Sequence, residues 1–69
     1  MARPQKWVMR DNGDGTVDVL RNGRQLQADL PAAQAHRYYL RHRAPDSTIV
    51  REDTSGHQRR IKGLSDLPH

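Results

Sequence analysis

The spacing of apolar residues along this chain changes period once, near Pro31. Before it, apolar and polar residues alternate. Val17 and Val19 alternate with Thr16 and Asp18, and Leu26 and Ala28 with Gln25 and Gln27. Lys6–Arg10 is short and rich in strand formers, with Trp7 and Val8 at its centre. A period of two is that of a half-buried strand. Turn signals separate the three segments. Asp11-Asn12-Gly13-Asp14-Gly15 supplies positive-φ positions, and Asn22-Gly23 is the strongest two-residue hairpin signal in the chain. A three-stranded antiparallel meander is expected over Lys6–Ala28.

After Pro31 the pattern becomes helical. Proline is tolerated in a first helical turn, where its missing N–H has no partner to lose. Ala32, Ala33, Gln34, Ala35, Leu40 and the arginines are good helix formers, so a helix is expected from Pro31 to Arg43, ended before Ala44-Pro45. At about 100° per residue, Ala32, Ala35, His36, Tyr39 and Leu40 share one face, which should cover the sheet. Gln34, Arg37, Tyr38 and Arg41 fall on the other and should meet water. Asp46-Ser47 then turns the chain. Thr48–Glu52, with Ile49 and Val50, predicts a fourth strand. Asp53–Gly56 is a loop with hairpin chemistry, and Gln58–Lys62, anchored by Ile61, predicts a fifth strand.

The expected fold is α+β: a single antiparallel sheet in the order β-β-β-α-β-β, with one helix packed on one face. Residues 6–62 form one domain between a disordered start at residues 1–5 and a C-terminal tail at residues 63–69. The expected core is Trp7 or Val8 with Val17, Val19, Leu26, Ala35, Tyr39, Leu40, Ile49 and Ile61. Val8, Leu20 and Val50 should lie on the sheet face away from the helix. If contiguous there, they mark a partner surface or a homodimer contact.

Composition narrows the class. Sixty-nine residues is one domain at most, and a chain this short buries only about 60% of the surface its unfolded form exposes. There is no Cys, so no disulfide supplements the core, and a reducing cytoplasm is the expected location. No stretch approaches the roughly 18 apolar residues of a membrane span. Met1–Lys6 lacks the apolar run of a secretory signal.

The chain carries a net charge of +4 with a pI of about 10.4. Residues 1–33 hold five Lys/Arg against four Asp/Glu, whereas residues 34–62 hold seven against three. The excess therefore sits in the second half. Clustered positive charge attracts polyanions or acidic protein faces, although moderate net charge also serves simply to keep a small domain soluble.

Motifs for catalysis or metal binding fail on spacing. Residues 11–16 resemble the start of a calcium loop, but Gly stands at the third and fifth positions where ligands are needed. His36 and His42 are about 240° apart around a helix axis, and His57 and His69 lie in a loop and at the terminus. Ser47, Ser55 and Ser65 lie in turns or the tail without a nucleophile-elbow context. No enzyme activity, cofactor or metal is expected.

Arg37-Tyr38-Tyr39-Leu40-Arg41-His42-Arg43 is the most informative segment, because it mixes base-stacking rings with phosphate-binding cations. The plainer reading makes Tyr39 and Leu40 core and the arginines a solvated face. Tyr38 stands apart, flanked by Gln34 and Arg41 on the outer face. A second basic set, Arg59, Arg60 and Lys62, falls in the last strand. Alternation puts Arg60 and Lys62 opposite Ile61, on the sheet face away from the helix, so the two sets need not form one footprint. The expected binding residues are Gln34, Arg37, Tyr38, Arg41, Arg59, Arg60 and Lys62. The expected partner is nucleic acid or an acidic protein surface. The corresponding functions are a nonenzymatic nucleic-acid-binding domain or, alternatively, a protein-interaction module such as a phage or mobile-element inhibitor of a host protein.

Trp7-Val8, Val17 and Val19, Gly23, Ala35, Ile49-Val50, Asp53, Gly56 and Ile61 together resemble the pattern of a family of short bacterial and phage proteins, domain of unknown function 2188. The resemblance covers residues 6–62 and rests on structural glycines and core positions. It implies the fold and carries over no activity or site residue. The Asp53–Gly56 turn is longer, and the helix more basic, than in that pattern. The sheet-then-helix half is also similar in topology to the arm-binding domains of phage-type recombinases, which lay a three-stranded sheet on DNA.

Overall fold

In the computed structural model, which describes residues 4–67, the alternating segments form strands β1 (Lys6–Asp11), β2 (Thr16–Arg21) and β3 (Arg24–Pro31). Helix α1 (Ala32–His42), strands β4 (Thr48–Glu52) and β5 (Gln58–Arg60), and a 3-10 turn over Leu64–Asp66 follow. The Asn22-Gly23 hairpin forms as expected. Both residues have positive φ, 51° and 85°, the requirement of the tight turn whose twist matches the flanking strands.

The sheet is mixed rather than wholly antiparallel. Its order is β3-β2-β1-β4-β5, and β4 runs parallel to β1. The helix is the reason. An eleven-residue helix spans roughly 16 Å, close to the length of a five- or six-residue strand. It carries the chain from the far end of β3 back to the end where β1 begins. Ala44 N–H then donates to Gln5 Oε1 at 3.2 Å, and Thr48 N–H donates to the Gln5 carbonyl at 2.9 Å. Entering there, β4 runs alongside β1 in the same direction. Alternation in sequence does not encode that direction.

Alternation also breaks within β3. Val17 pairs with Leu30, Val19 with Gln27 and Leu20 with Gln25, so β3 gains one extra residue at each of two steps. Asp29 takes φ 56°, and its N–H is held by Asp18 Oδ1 at 3.0 Å. Leu26 is half-buried against the core while Ala28 is exposed, so the two do not share a buried face. Bulges of this kind bend a strand and blunt an open sheet edge.

The core between sheet and helix contains Trp7, Met9, Val17, Val19, Ala32, Ala35, Tyr39 and Ile49, with Leu26, Leu30, Tyr38 and Ile61 packed around it. Of the two β1 candidates, Trp7 joins this core, together with Met9, while Val8 is buried in a separate cluster with Leu20 and Val50. Leu40, expected in the core, is 52% exposed. Tyr38, expected outside, is half-buried, with its ring edge-on to Trp7 at 6.2 Å. Tyr39 meets the same indole at 5.3 Å. Two successive tyrosines clasp one tryptophan, which turns the helix so that Ala32, Ala35 and Tyr39 centre the buried arc. Leu40 then lies roughly 120° from that centre.

The ends also depart from expectation. Gln5 is structured: its Oε1 accepts from Trp7 Nε1 at 3.0 Å and from Ser47 Oγ at 3.2 Å. Residues 1–3 of the expected disordered start lie outside the described residues, as do 68–69 of the expected tail. Within that tail segment, Leu67 is only 2% exposed and belongs to the core. The fifth strand ends at Arg60 instead of Lys62, although Ile61 N–H still bonds to the Ile49 carbonyl at 3.2 Å.

Candidate nucleic-acid interface

Helix α1 carries no carboxylate, and Arg41 and His42 occupy its last turn. There they oppose the negative end of the helix dipole, so the helix tolerates its own positive charge. Gln34, Arg37, Tyr38 and Arg41 line one shallow groove of about 320 Å³ together with Gln27 and Leu30 of β3. The structure therefore brings together all four helix residues singled out from sequence. It adds two that alternation alone did not mark. Gln27 reaches the groove because the bulges in β3 reset which side chains face the helix.

Within the groove Tyr38 is not a free-standing ring. One edge faces Trp7, and His42 packs on it with ring centroids 4.5 Å apart. What remains for a ligand is a rigid, partly covered aromatic wall between two guanidinium groups.

Charge is segregated along the strand direction. Lys6, the Asn22-Gly23 turn and the C-terminus of α1 share one end. The turns are tied there by Asn22 N–H to the Lys6 carbonyl at 2.8 Å and by Lys6 N–H to Asn22 Oδ1 at 2.8 Å. That end carries Arg21, Arg24, Arg41 and Arg43 against Asp46, while the Lys6 ammonium group reaches away from it to Gln58 at 2.7 Å. Arg21 and Arg43 are braced on core rings, 5.8 Å over Trp7 and 5.6 Å over Tyr39. The opposite end carries Asp11, Asp14, Asp18, Asp29, Glu52 and Asp53 against Arg10, Arg51 and Arg59.

Several of these acids serve the backbone. Asn12 Nδ2 donates to Thr16 Oγ1, Asp18 Oδ1 and Asp29 Oδ1 at 3.0–3.1 Å, locking the first turn to the β3 bulge. The Gly13 N–H, then Arg51, hold the Asp11 carboxyl below its usual range. The Thr16 hydroxyl and N–H do so for Asp14, and the N–H groups of His57 and Ser55 for Asp53. These carboxylates stay ionised at neutral pH.

The second basic set lies elsewhere. Arg59 pairs with Arg51 on the helix side of the sheet, and Arg60 pairs with Val50 on the other side. Both sit on β5, at the sheet edge opposite β3. Lys62 follows the strand, and its N–H donates to Asp66 Oδ2 at 3.0 Å. Arg59, Arg60 and Lys62 therefore do not join the groove. Sequence reasoning missed Arg24 and Arg43 as members of the basic end. The signal that could have found them is the hairpin itself, which returns Arg24 to the end where a helix of this length must finish.

Among the described residues no group of three or more His, Cys, Asp or Glu is arranged to hold a metal ion, and no helix is long and apolar enough to cross a membrane. No family model, curated protein or solved structure matches the chain. The resemblance to domain of unknown function 2188 rests on core and turn positions of the sequence alone.

Proposed function

We propose that this chain is a nonenzymatic domain that binds nucleic acid through the α1–β3 groove and the basic end beside it. The observation that carries this reading is the segregation of charge. Four arginines, Arg21, Arg24, Arg41 and Arg43, gather at one end, adjoining a groove in which Arg37 and Arg41 flank an aromatic wall. A phosphate backbone is drawn to that end, where cations outnumber carboxylates, so the field orients the encounter as well as strengthening it. The groove supplies a planar surface and amide groups, Gln27 and Gln34, for contact with bases.

The test is retention on DNA across a salt series. Each lost phosphate contact should lower the log–log slope by about one. Arg37→Ala with Arg41→Ala should lower it by about two for every sequence alike. Arg59→Ala with Arg60→Ala, at the far edge, should change it less. Wild-type protein that ignores DNA at low salt would overturn the reading.

A protein partner is favoured by one separate observation. Leu40 is the only large hydrophobic residue among those described that is exposed, and it stands on the same helix as Arg37 and Arg41. An interaction module, such as an inhibitor of a host protein, would use Leu40 as its anchor. In that case Leu40→Ala abolishes binding, salt has a modest effect, and DNA does not compete.

A further inference from the structure

We propose a second site, independent of the groove, in which Arg51 and Arg59 bind a small phosphate-class oxyanion at the β4–β5 edge. The first observation is the register. Arg51 and Arg59 are direct cross-strand partners on one face of the sheet. Like charges so placed destabilise a sheet; Asp11 compensates Arg51 at 2.9 Å, and Arg59 is left without a counter-charge among the described residues.

The second observation is the unspent hydrogen-bonding capacity of the pair. Arg51 places Nη2 on Asp11 Oδ2 at 2.9 Å, while Nη1 has only the Asp66 carbonyl at 3.4 Å. Its Nε is buried with no partner, a costly state for a charged donor. Arg59 is exposed and makes no salt bridge among the described residues.

The third observation is space. Two adjoining hollows, of about 390 and 430 Å³, share Arg51 and Arg59 as lining. Asp53 and His57 complete the first, and Arg60, Ser65 and Asp66 contribute to the second. Neither the Asp53 nor the Asp66 carboxylate is within ion-pair distance of Arg51 or Arg59. Asp53 Oδ1 accepts from the N–H groups of Ser55 and His57, and Asp66 Oδ2 accepts from Lys62 N–H. Both carboxylates are held by backbone N–H groups, and the Arg51 and Arg59 guanidinium groups and the Ser65 hydroxyl remain beside the larger hollow. Paired guanidinium groups match the geometry of phosphate oxygens.

The experiment is a titration of the full chain with inorganic phosphate at constant ionic strength, made up with chloride. It is followed by the arginine Nε–Hε resonances and by Tm. Saturable movement of the Arg51 and Arg59 signals, with a rise in Tm, is expected. Phenyl phosphate in a parallel arm separates the sources: tighter binding than inorganic phosphate assigns the site to an organic monoester, and equal binding to the free ion. Arg59→Gln should weaken phosphate binding about tenfold, the loss of one charge-assisted hydrogen bond. Because it relieves the like-charge pair, it should leave Tm in chloride unchanged or higher. Arg37→Ala with Arg41→Ala should leave phosphate binding intact, so failure here and failure of the groove reading are told apart. Arginine signals that do not respond to phosphate would overturn the proposal, as would an equal response in Arg59→Gln. A lower Tm for Arg59→Gln in chloride would make Arg59 a structural strut instead and overturn it too.

Discussion

The two faces of the sheet keep their apolar residues from water by different means. On one face, α1 and the C-terminal segment pack over Trp7, Met9, Val17, Val19 and Ile49. On the other, no helix covers Val8, Leu20 and Val50, which form a contiguous cluster, and still they are only 6–7% exposed. Polar side chains provide the cover. Lys6 Nζ donates to Gln58 Oε1 at 2.7 Å, reaching from β1 over β4 to β5 across the row that holds Val50. Gln58 Nε2 in turn donates to Glu52 Oε1 at 3.1 Å, and Arg10 Nε to Glu52 Oε2 at 2.7 Å. Long charged side chains lay their aliphatic stems over small apolar groups while their heads stay wet. This cover leaves little apolar area for the homodimer contact expected on that face. One face is thus held by volume, and the other by a charge network whose integrity depends on pH.

The difference can be broken most forcefully at Trp7. It is fully buried, anchors both tyrosines, and donates to Gln5. Trp7→Ala should cost about 3–5 kcal/mol, a large share of the whole stability of so small a domain. Circular dichroism should show a largely unfolded chain at 25 °C. A cooperative melt within a few degrees of wild type would show that the helix-covered face does not depend on this indole.

Acid tests the other face. Hydrogen bonds from Gln58 and then Arg10 hold the Glu52 carboxyl below its ordinary value of 4.5. A carboxylate whose folded pKa is depressed stabilises the fold above its unfolded pKa, and that contribution is lost as pH falls through the folded value. Wild type should therefore melt above Glu52→Gln at pH 7, with the gap closing as pH falls below about 4.5. A gap that persists unchanged to pH 3 would mean that Glu52 acts by shape rather than charge.

The smallest effect is expected at Leu40. An exposed side chain removed from the packed arc should change stability by no more than about 0.5 kcal/mol on truncation to Ala. Equal melting temperatures for wild type and Leu40→Ala would agree with a helix that turns Tyr39 inward and Leu40 to water. A loss like that of a core leucine would reverse that orientation.

Much of this was legible in sequence, and the failures have identifiable causes. The hairpin at Asn22-Gly23 and the helix after Pro31 were readable because each depends on local backbone preference. Gln34, Arg37, Tyr38 and Arg41 were readable as a group because helical spacing alone places them together. Gln27 was not, since the bulges that bring it to the groove depend on Asp18, Asp29 and Asn12 meeting across two turns. Tyr38 and Leu40 exchanged roles for a similar reason. A helical wheel gives relative angles, but the absolute rotation was chosen by an indole thirty-one positions away in sequence.

By itself, then, the sequence determined the elements, their order and the excess of positive charge. Only the tertiary structure decided the direction of β4, the rotation of α1, and the gathering of cations at one end and carboxylates at the other. Local propensity acts over a few residues, whereas these features depend on where a helix of a given length returns the chain and on which distant side chains it meets there.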